Sequence, residues 1–163
     1  MNPILQKAIE YAAHGYSIIP VNPDNKLPLV VWKPYQEKIA TDEKIMDWWS
    51  RFSNANVGII TGKISNITVV DIDVKGDQVT PLAAFPETYT VETPSGGYHL
   101  YYQFTEEITQ GVNQFPHFPH VDIRNIGGFV VAAPSKNPKG EYKIIKNIGV
   151  QPLLISSRIN FFN

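Results

Sequence analysis

The sequence predicts an α+β fold with its helices early. Three observations carry that prediction. Two segments in the first third place apolar residues at helical spacing. After them come short β-branched and aromatic runs bounded by Gly, Pro, Asn and Ser. Those runs follow one another with tight turn signals between them, as antiparallel strands do.

The elements follow in order. In "MNPILQKAIEYAAHGYS", Ile4, Leu5, Ala8, Ile9 and Ala12 share one helical face, and Gly15 is a C-terminal stop. "YSIIPV" is a short buried strand. "NPDNKLPLV" is turn-rich, and Pro23 and Pro28 block helix there. "TDEKIMDWWSRF" is a second helix, with Thr41 and Asp42 as candidate caps and Ile45, Trp48, Trp49 and Phe52 as its apolar face. "NVGIITG" and "ITVVDIDV" are strands, and "TPLAAF" fits no single class. "TYTVETPSGGYHLYYQF" reads as a hairpin turning at Pro94 to Gly97. "HVDIRNIGGFVVAAPS" reads as a second hairpin turning at Asn125 to Gly128, and "GEYKIIKN" as a last strand. The tail "LLISSRINFFN" has no clear register.

Bulk properties narrow the function. At 163 residues one domain is the default, and a 43% apolar content is enough to build its core. A net charge of -1 argues against a protein that coats nucleic acid, which would be basic. The absence of cysteine excludes disulfides, thiolate zinc sites and a cysteine nucleophile. The N-terminus lacks the apolar core of a signal peptide, and no run is long and apolar enough to span a bilayer. A soluble, cytoplasmic protein is the plain expectation.

Chemistry concentrates in three stretches. In "VVDIDV", Asp71 and Asp73 leave the strand on one face, opposite Val70 and Ile72. Adjacent carboxylates raise each other's pKa unless a cation lies between them, and Mg²⁺ takes such oxygen ligands. Read alone, the pair fits a metal site and a charged strand edge equally well. In "TPSGGYHLYY", Gly96 and Gly97 allow a tight turn whose N–H groups can cradle an anion, and His99 follows at the strand start. An ordinary hairpin with a surface histidine explains that stretch as readily. In "VDIRNIGGFVVAAPS", Asp122 and Arg124 share a face. Arg can bind phosphate in a bidentate way, or simply pair with Asp122. Together the three stretches acquire a mechanism: three carboxylates to hold two divalent ions, and His and Arg to hold a triphosphate.

The order D-x-D, then small residue-x-His, then apolar-Asp resembles the three motifs of the archaeo-eukaryotic primase superfamily, and within it the bifunctional primase–polymerase (prim-pol) branch. "HGYSIIPV", "KLPLV", "NVGIITG", "TPSGGYHLYY" and "DIRNIGGFVVAAPS" carry the likeness, from the first helix through Ser135. The resemblance implies an αβ module, mainly residues 1–56, packed on an RRM-like sheet module, mainly 57–150, with the active site in the cleft between them. Residues 151–163 would be a tail or the start of a linker. It implies that Asp71, Asp73 and Asp122 ligate two Mg²⁺ or Mn²⁺ ions, and that His99, Arg124, Ser95 and Gly97 bind the nucleotide. The implied reaction is template-directed addition of dNTP or NTP on single-stranded DNA or a primer–template. Relatives of this kind are often fused to a helicase and occur in plasmids, phages and other mobile elements. This chain has neither a helicase nor a thiolate zinc element, so polymerase chemistry is better supported than primer initiation. It reads as an excised catalytic domain or a small standalone member. Two other readings share its features: a non-catalytic module binding single-stranded nucleic acid, and a metal-dependent nuclease.

Remaining features weigh less. Lys136, Lys139, Lys143 and Lys146 could track a nucleic-acid backbone or form a solvated face. Lys26 and Lys33 flank Pro28 in the loop after the first strand. Trp32, Trp48 and Trp49 could stack bases, although the last two sit at core spacing. "HFPH" reads as a loop. "NVGIITGK" lacks P-loop spacing, leaving Gly62 as a point of close backbone approach beside the site.

Overall fold

A computed structural model describes residues 2–112, 115 and 118–153. The tail from residue 154 and His117 of "HFPH" lie outside the described residues. Helix α1 spans Pro3–Ala13. Asn2 caps it by accepting the N–H groups of Ile4 and Leu5 at 2.9 and 3.3 Å. It stops at Gly15, whose φ of 99° suits glycine. Helix α2 spans Asp42–Arg51, capped by the Thr41 hydroxyl, which accepts from Lys44 N–H at 3.2 Å. Ile45, Trp48 and Trp49 are buried, so neither of those tryptophans is placed to stack a base. Short 3-10 turns occupy Lys33–Gln36 and Leu82–Ala84, the latter resolving the ambiguous "TPLAAF".

The strands are β1 (Ile18–Val21), β2 (Asn56–Ile60), β3 (Ile67–Ile72), β4 (Tyr89–Glu92), β5 (Tyr98–Gln103), β6 (Val121–Arg124), β7 (Phe129–Val131), β8 (Lys136–Asn137), β9 (Gly140–Glu141) and β10 (Lys143–Lys146). Three of them form a sheet ordered β1-β2-β7, and five form a sheet ordered β10-β4-β5-β3-β6. Every named pairing is antiparallel. The fold is α+β, as expected, with two helices among the described residues.

One predicted element is corrected. β4 and β5 form the expected hairpin, but β6 and β7 do not pair with each other. β6 adds to β3 in the larger sheet, and β7 adds to β2 in the smaller one. The turn between them is real, with Gly128 N–H donating to Asn125 C=O at 2.9 Å. Strand–turn–strand looks the same in sequence whether the strands pair or cross between sheets. The partners were decided at a distance, by Val69 and Val70 facing Arg124 and Ile123, and by Gly58 facing Val131. Asn125 fastens the crossover. Its C=O accepts from the Thr61 hydroxyl at 2.7 Å, and its carboxamide donates to the carbonyls of Thr105 and Ile108.

The large sheet is apolar on both faces, and the alternation of β3 shows how. Val70 and Ile72 enter one core cluster with Leu100, Tyr102, Val121 and Ile123. Ile67 and Val69 enter the other, with α1, α2 and the three-stranded sheet. Asp71 continues the second row, where the apolar side chains give way to charge.

Candidate active site

The register of the large sheet builds the site. Asp71 on the central strand faces His99 on β5 and Asp122 on β6. All three project from one face, because each is flanked along its strand by residues of the opposite core. Arg124 lies two residues beyond Asp122 on the same face. Asp73 follows just past the end of β3, extending the row, with its N–H bonded to His120 C=O at 2.9 Å. Acceptor oxygens of Asp71, Asp73 and Asp122 lie within 4.8 Å of one another. The structure therefore brings together all five residues that the three motifs singled out.

Burial differs within the set. Asp71, His99 and Asp122 are 7%, 6% and 8% exposed, whereas Asp73 is open to solvent. Burying charge is unfavourable unless it is paired. Asp71 is paired twice. His99 Nε2 lies 3.4 Å from its Oδ1, and Arg124 donates from Nε and Nη2 to Oδ2 at 3.2 and 3.1 Å. Arg124 Nη2 is also 3.6 Å from Asp122 Oδ2. The same-face Asp122–Arg124 pair is thus the weaker contact, and Asp71 takes the guanidinium.

These contacts set the carboxyls apart. Burial pushes the Asp71 pKa up, but the charges and hydrogen bonds of His99 and Arg124 outweigh it, and the net direction is down. Asp73 moves up, through partial burial and then repulsion from Asp71 and Asp122. Among the described residues Asp73 has no ion pair, and burial and like charge outweigh the more distant pull of His99 and Arg124. Hard oxygen donors at this spacing suit a divalent ion, so the three aspartates could hold a metal.

A pocket of about 390 Å³ opens over this face. Asp71, Asp73, His99 and Arg124 line it, as does Ser95 from the β4–β5 turn. Lys26 and Trp32 reach it from the loop after β1, and Lys33 does not line it. Trp32 packs edge-on against Phe129 at 5.4 Å.

Two expectations about glycines are corrected. The N–H groups of Gly96 and Gly97 form no anion cradle, because they donate to the Thr93 carbonyl and hydroxyl at 2.9 and 3.1 Å. What Gly97 provides is room: a Cβ there would stand 2.2 Å from the Ile72 carbonyl oxygen. Gly62 makes its close approach to the Ile126 backbone, 2.8 Å from where a Cβ would be, and does not line the pocket. Of the lysines near the end of the chain, Lys146 pairs with Glu87 at 3.2 Å.

Two pocket residues escaped the sequence reading. Tyr142 packs with its ring tilted at 35° to that of His99, 5.9 Å away, and its hydroxyl pKa is pushed up to about 12, first by burial and then by Asp71 and Asp73. It stays protonated at neutral pH. Gln110 also lines the pocket. Neither carries a local signal: one is a tyrosine in a short strand-rich stretch, the other a lone amide in a polar loop.

An acidic cluster beside a buried histidine and a half-buried arginine, with a pocket over them, defines a site suited to a divalent ion and an anionic ligand. The family to which the chain belongs agrees with that chemistry. Residues 8–153 match the family described as Prim-Pol, bifunctional DNA primase/polymerase, N-terminal, and the chain is a member of it. Members are DNA primase–polymerases, enzymes of the nucleotidyltransferase class, and the family implies nucleotide and DNA substrates. No curated protein matches the chain. Among the described residues, no helix is long and apolar enough to cross a membrane.

Proposed function

We propose that this domain adds nucleotides to a DNA or RNA strand on a single-stranded DNA template, using dNTP or NTP. The observation that carries the reading is the strand register that sets Asp122, Asp71 and His99 side by side, with Asp73 and Arg124 adjoining. Asp71, Asp73 and Asp122 would hold two divalent ions, Mg²⁺ or Mn²⁺. Bound there, such ions supply charge stabilisation to the attacking and leaving oxygens of an in-line displacement. A primer 3′-hydroxyl attacks the α-phosphate, one P–O bond forms, the α–β bond breaks, and pyrophosphate leaves.

The chain's own residues do the positioning. Arg124 is the phosphate clamp, since its fork already makes a two-nitrogen contact with a carboxylate oxygen. His99 works through Nε2, because Nδ1 is buried without a hydrogen-bond partner among the described residues. Ser95 contributes its hydroxyl at the pocket wall, and Gly97 lets the β4–β5 turn close onto the end of β3. Tyr142 holds the His99 ring in place.

In architectural terms, we take the helices and three-stranded sheet as the αβ module, the larger sheet as the RRM-like module, and the pocket as the cleft between them. Residues 1–150 then form the catalytic domain, although β2 and β7 carry the later part of the chain into the first module's sheet. The setting would be the cytoplasm of a prokaryote or of a cell hosting a plasmid or phage, with a helicase supplied outside this chain. A labelled primer–template incubated with each dNTP or NTP and with Mg²⁺ or Mn²⁺ tests the reading. Extension supports it. Shortening would indicate a nuclease, and retention without either would indicate a binding module.

A further inference from the structure

Gln110 is held more firmly than a loop amide needs to be. The backbone around it is tied to the sheet at several points. Thr105 N–H donates to the Thr68 hydroxyl at 3.1 Å, and the Asn125 carboxamide donates to the carbonyls of Thr105 and Ile108 at 2.9 and 2.7 Å. Gly111 and Ile123 exchange both backbone hydrogen bonds, at 3.0 and 2.8 Å. The side chain is oriented as well. Asn125 N–H donates to Gln110 Oε1 at 2.7 Å. A backbone N–H can only donate, so the atom it meets is the amide oxygen, and the NH₂ group is the free end. The amide lies close against Gly128, where a Cβ would stand 2.2 Å from Oε1 and 2.8 Å from Nε2. Among the described residues, Nε2 has no hydrogen-bond acceptor, and Gln110 lines the pocket shared by Asp71, His99 and Arg124.

We infer that Gln110 is a further nucleotide-binding residue, whose Nε2 donates to a phosphate oxygen of the incoming triphosphate beside the Arg124 guanidinium. The inference rests on the nucleotidyltransferase reading and adds to it. The phosphate is favoured over base or sugar because the N–H that fixes the amide belongs to the residue after Arg124. The free donor and the guanidinium thus line one pocket, where an anionic ligand would meet both. A neutral donor there adds a hydrogen bond without another charge to desolvate.

Gln110→Glu is the informative variant. It keeps the length and the oxygen that accepts from Asn125 N–H, and replaces the donor with a carboxylate oxygen. Thermal unfolding without nucleotide should be unchanged. KM for nucleotide should rise by about tenfold or more, with kcat little altered. The inhibition constant of inorganic tripolyphosphate should rise in parallel. Gln110→Ala, which removes the donor without adding charge, should raise both constants by about threefold or more. Unchanged constants in both variants would overturn the inference, and so would a raised KM with unchanged tripolyphosphate inhibition. Wild-type primer extension, measured first, separates failure of the nucleotidyltransferase reading from failure of this one.

Discussion

Asp71 pairs with two side chains at once, His99 and Arg124, and this shapes what each carboxyl does. With His99 on one oxygen and Arg124 on the other, the charged form of Asp71 is favoured by the fold. Its contribution to stability is complete above the ordinary carboxylate pKa and is lost as pH falls through its lower folded value. Asp73 runs the other way. Its raised pKa means that ionisation in the folded state is opposed, so stability falls as pH rises from the ordinary carboxylate value through the folded one. Asp73→Asn should therefore melt above the wild type at about pH 7 in chelator, and level with it near about pH 3. Differential scanning calorimetry at the two pH values reads the difference. The two aspartates also separate in anion binding. Asp71→Asn removes the carboxylate that pairs with His99 and Arg124, leaving Arg124 its longer contact with Asp122, whereas Asp73→Asn removes the same charge and breaks no ion pair among the described residues. Metal-free affinity for tripolyphosphate, measured by titration calorimetry, should rise more in the first, by about tenfold. Equal gains would mean that net charge alone sets the affinity.

At the scale of elements, three neighbouring strands and one turn place the site. The residues were legible in sequence because i, i+2 alternation shows which side chains share a face. The sequence did not reveal which strands would be neighbours. "VDIRNIGGFVV" has every local mark of a hairpin, yet its halves went to different sheets, since long-range apolar pairing outweighs a permissive turn. The glycines of "PSGG" were legible as a turn but not as a steric fit, which depends on where Ile72 ends up. Gly97→Ala drives a methyl into the Ile72 carbonyl. It should lower stability by about 1–3 kcal/mol in chemical denaturation and displace the end of β3, reducing activity with it. Asn125→Ala strips partners from the carbonyls of Thr105 and Ile108, and should lower stability by about 1–3 kcal/mol. No loss in either variant would show that the turn and the crossover are slack.

Across the whole molecule, the pocket draws on distant parts of the chain: Lys26 and Trp32 from the loop after β1, and Asp71, Asp73, His99 and Arg124 from the larger sheet and its end. The order of motifs along the chain made this assembly legible, because separate weak signals with one mechanism converge more tightly than any of them alone. Gln110 and Tyr142 were not legible, because nothing local distinguishes a glutamine or a tyrosine that tertiary packing later turns toward a pocket. Trp32 offers a direct optical test of assembly. Trp48 and Trp49 are 1% and 3% exposed and far less open to ligand. Nucleotide binding should change tryptophan fluorescence in the wild type, and Trp32→Phe should remove most of that change. The most direct test of the central claim is primer extension by the Asp71→Ala/Asp73→Ala double variant beside the wild type, in Mg²⁺ and in Mn²⁺, with circular dichroism to verify the fold. A folded variant with extension reduced by about 10³-fold or more is the predicted result. Extension at the wild-type rate in a folded double variant would contradict the metal site and the function built on it.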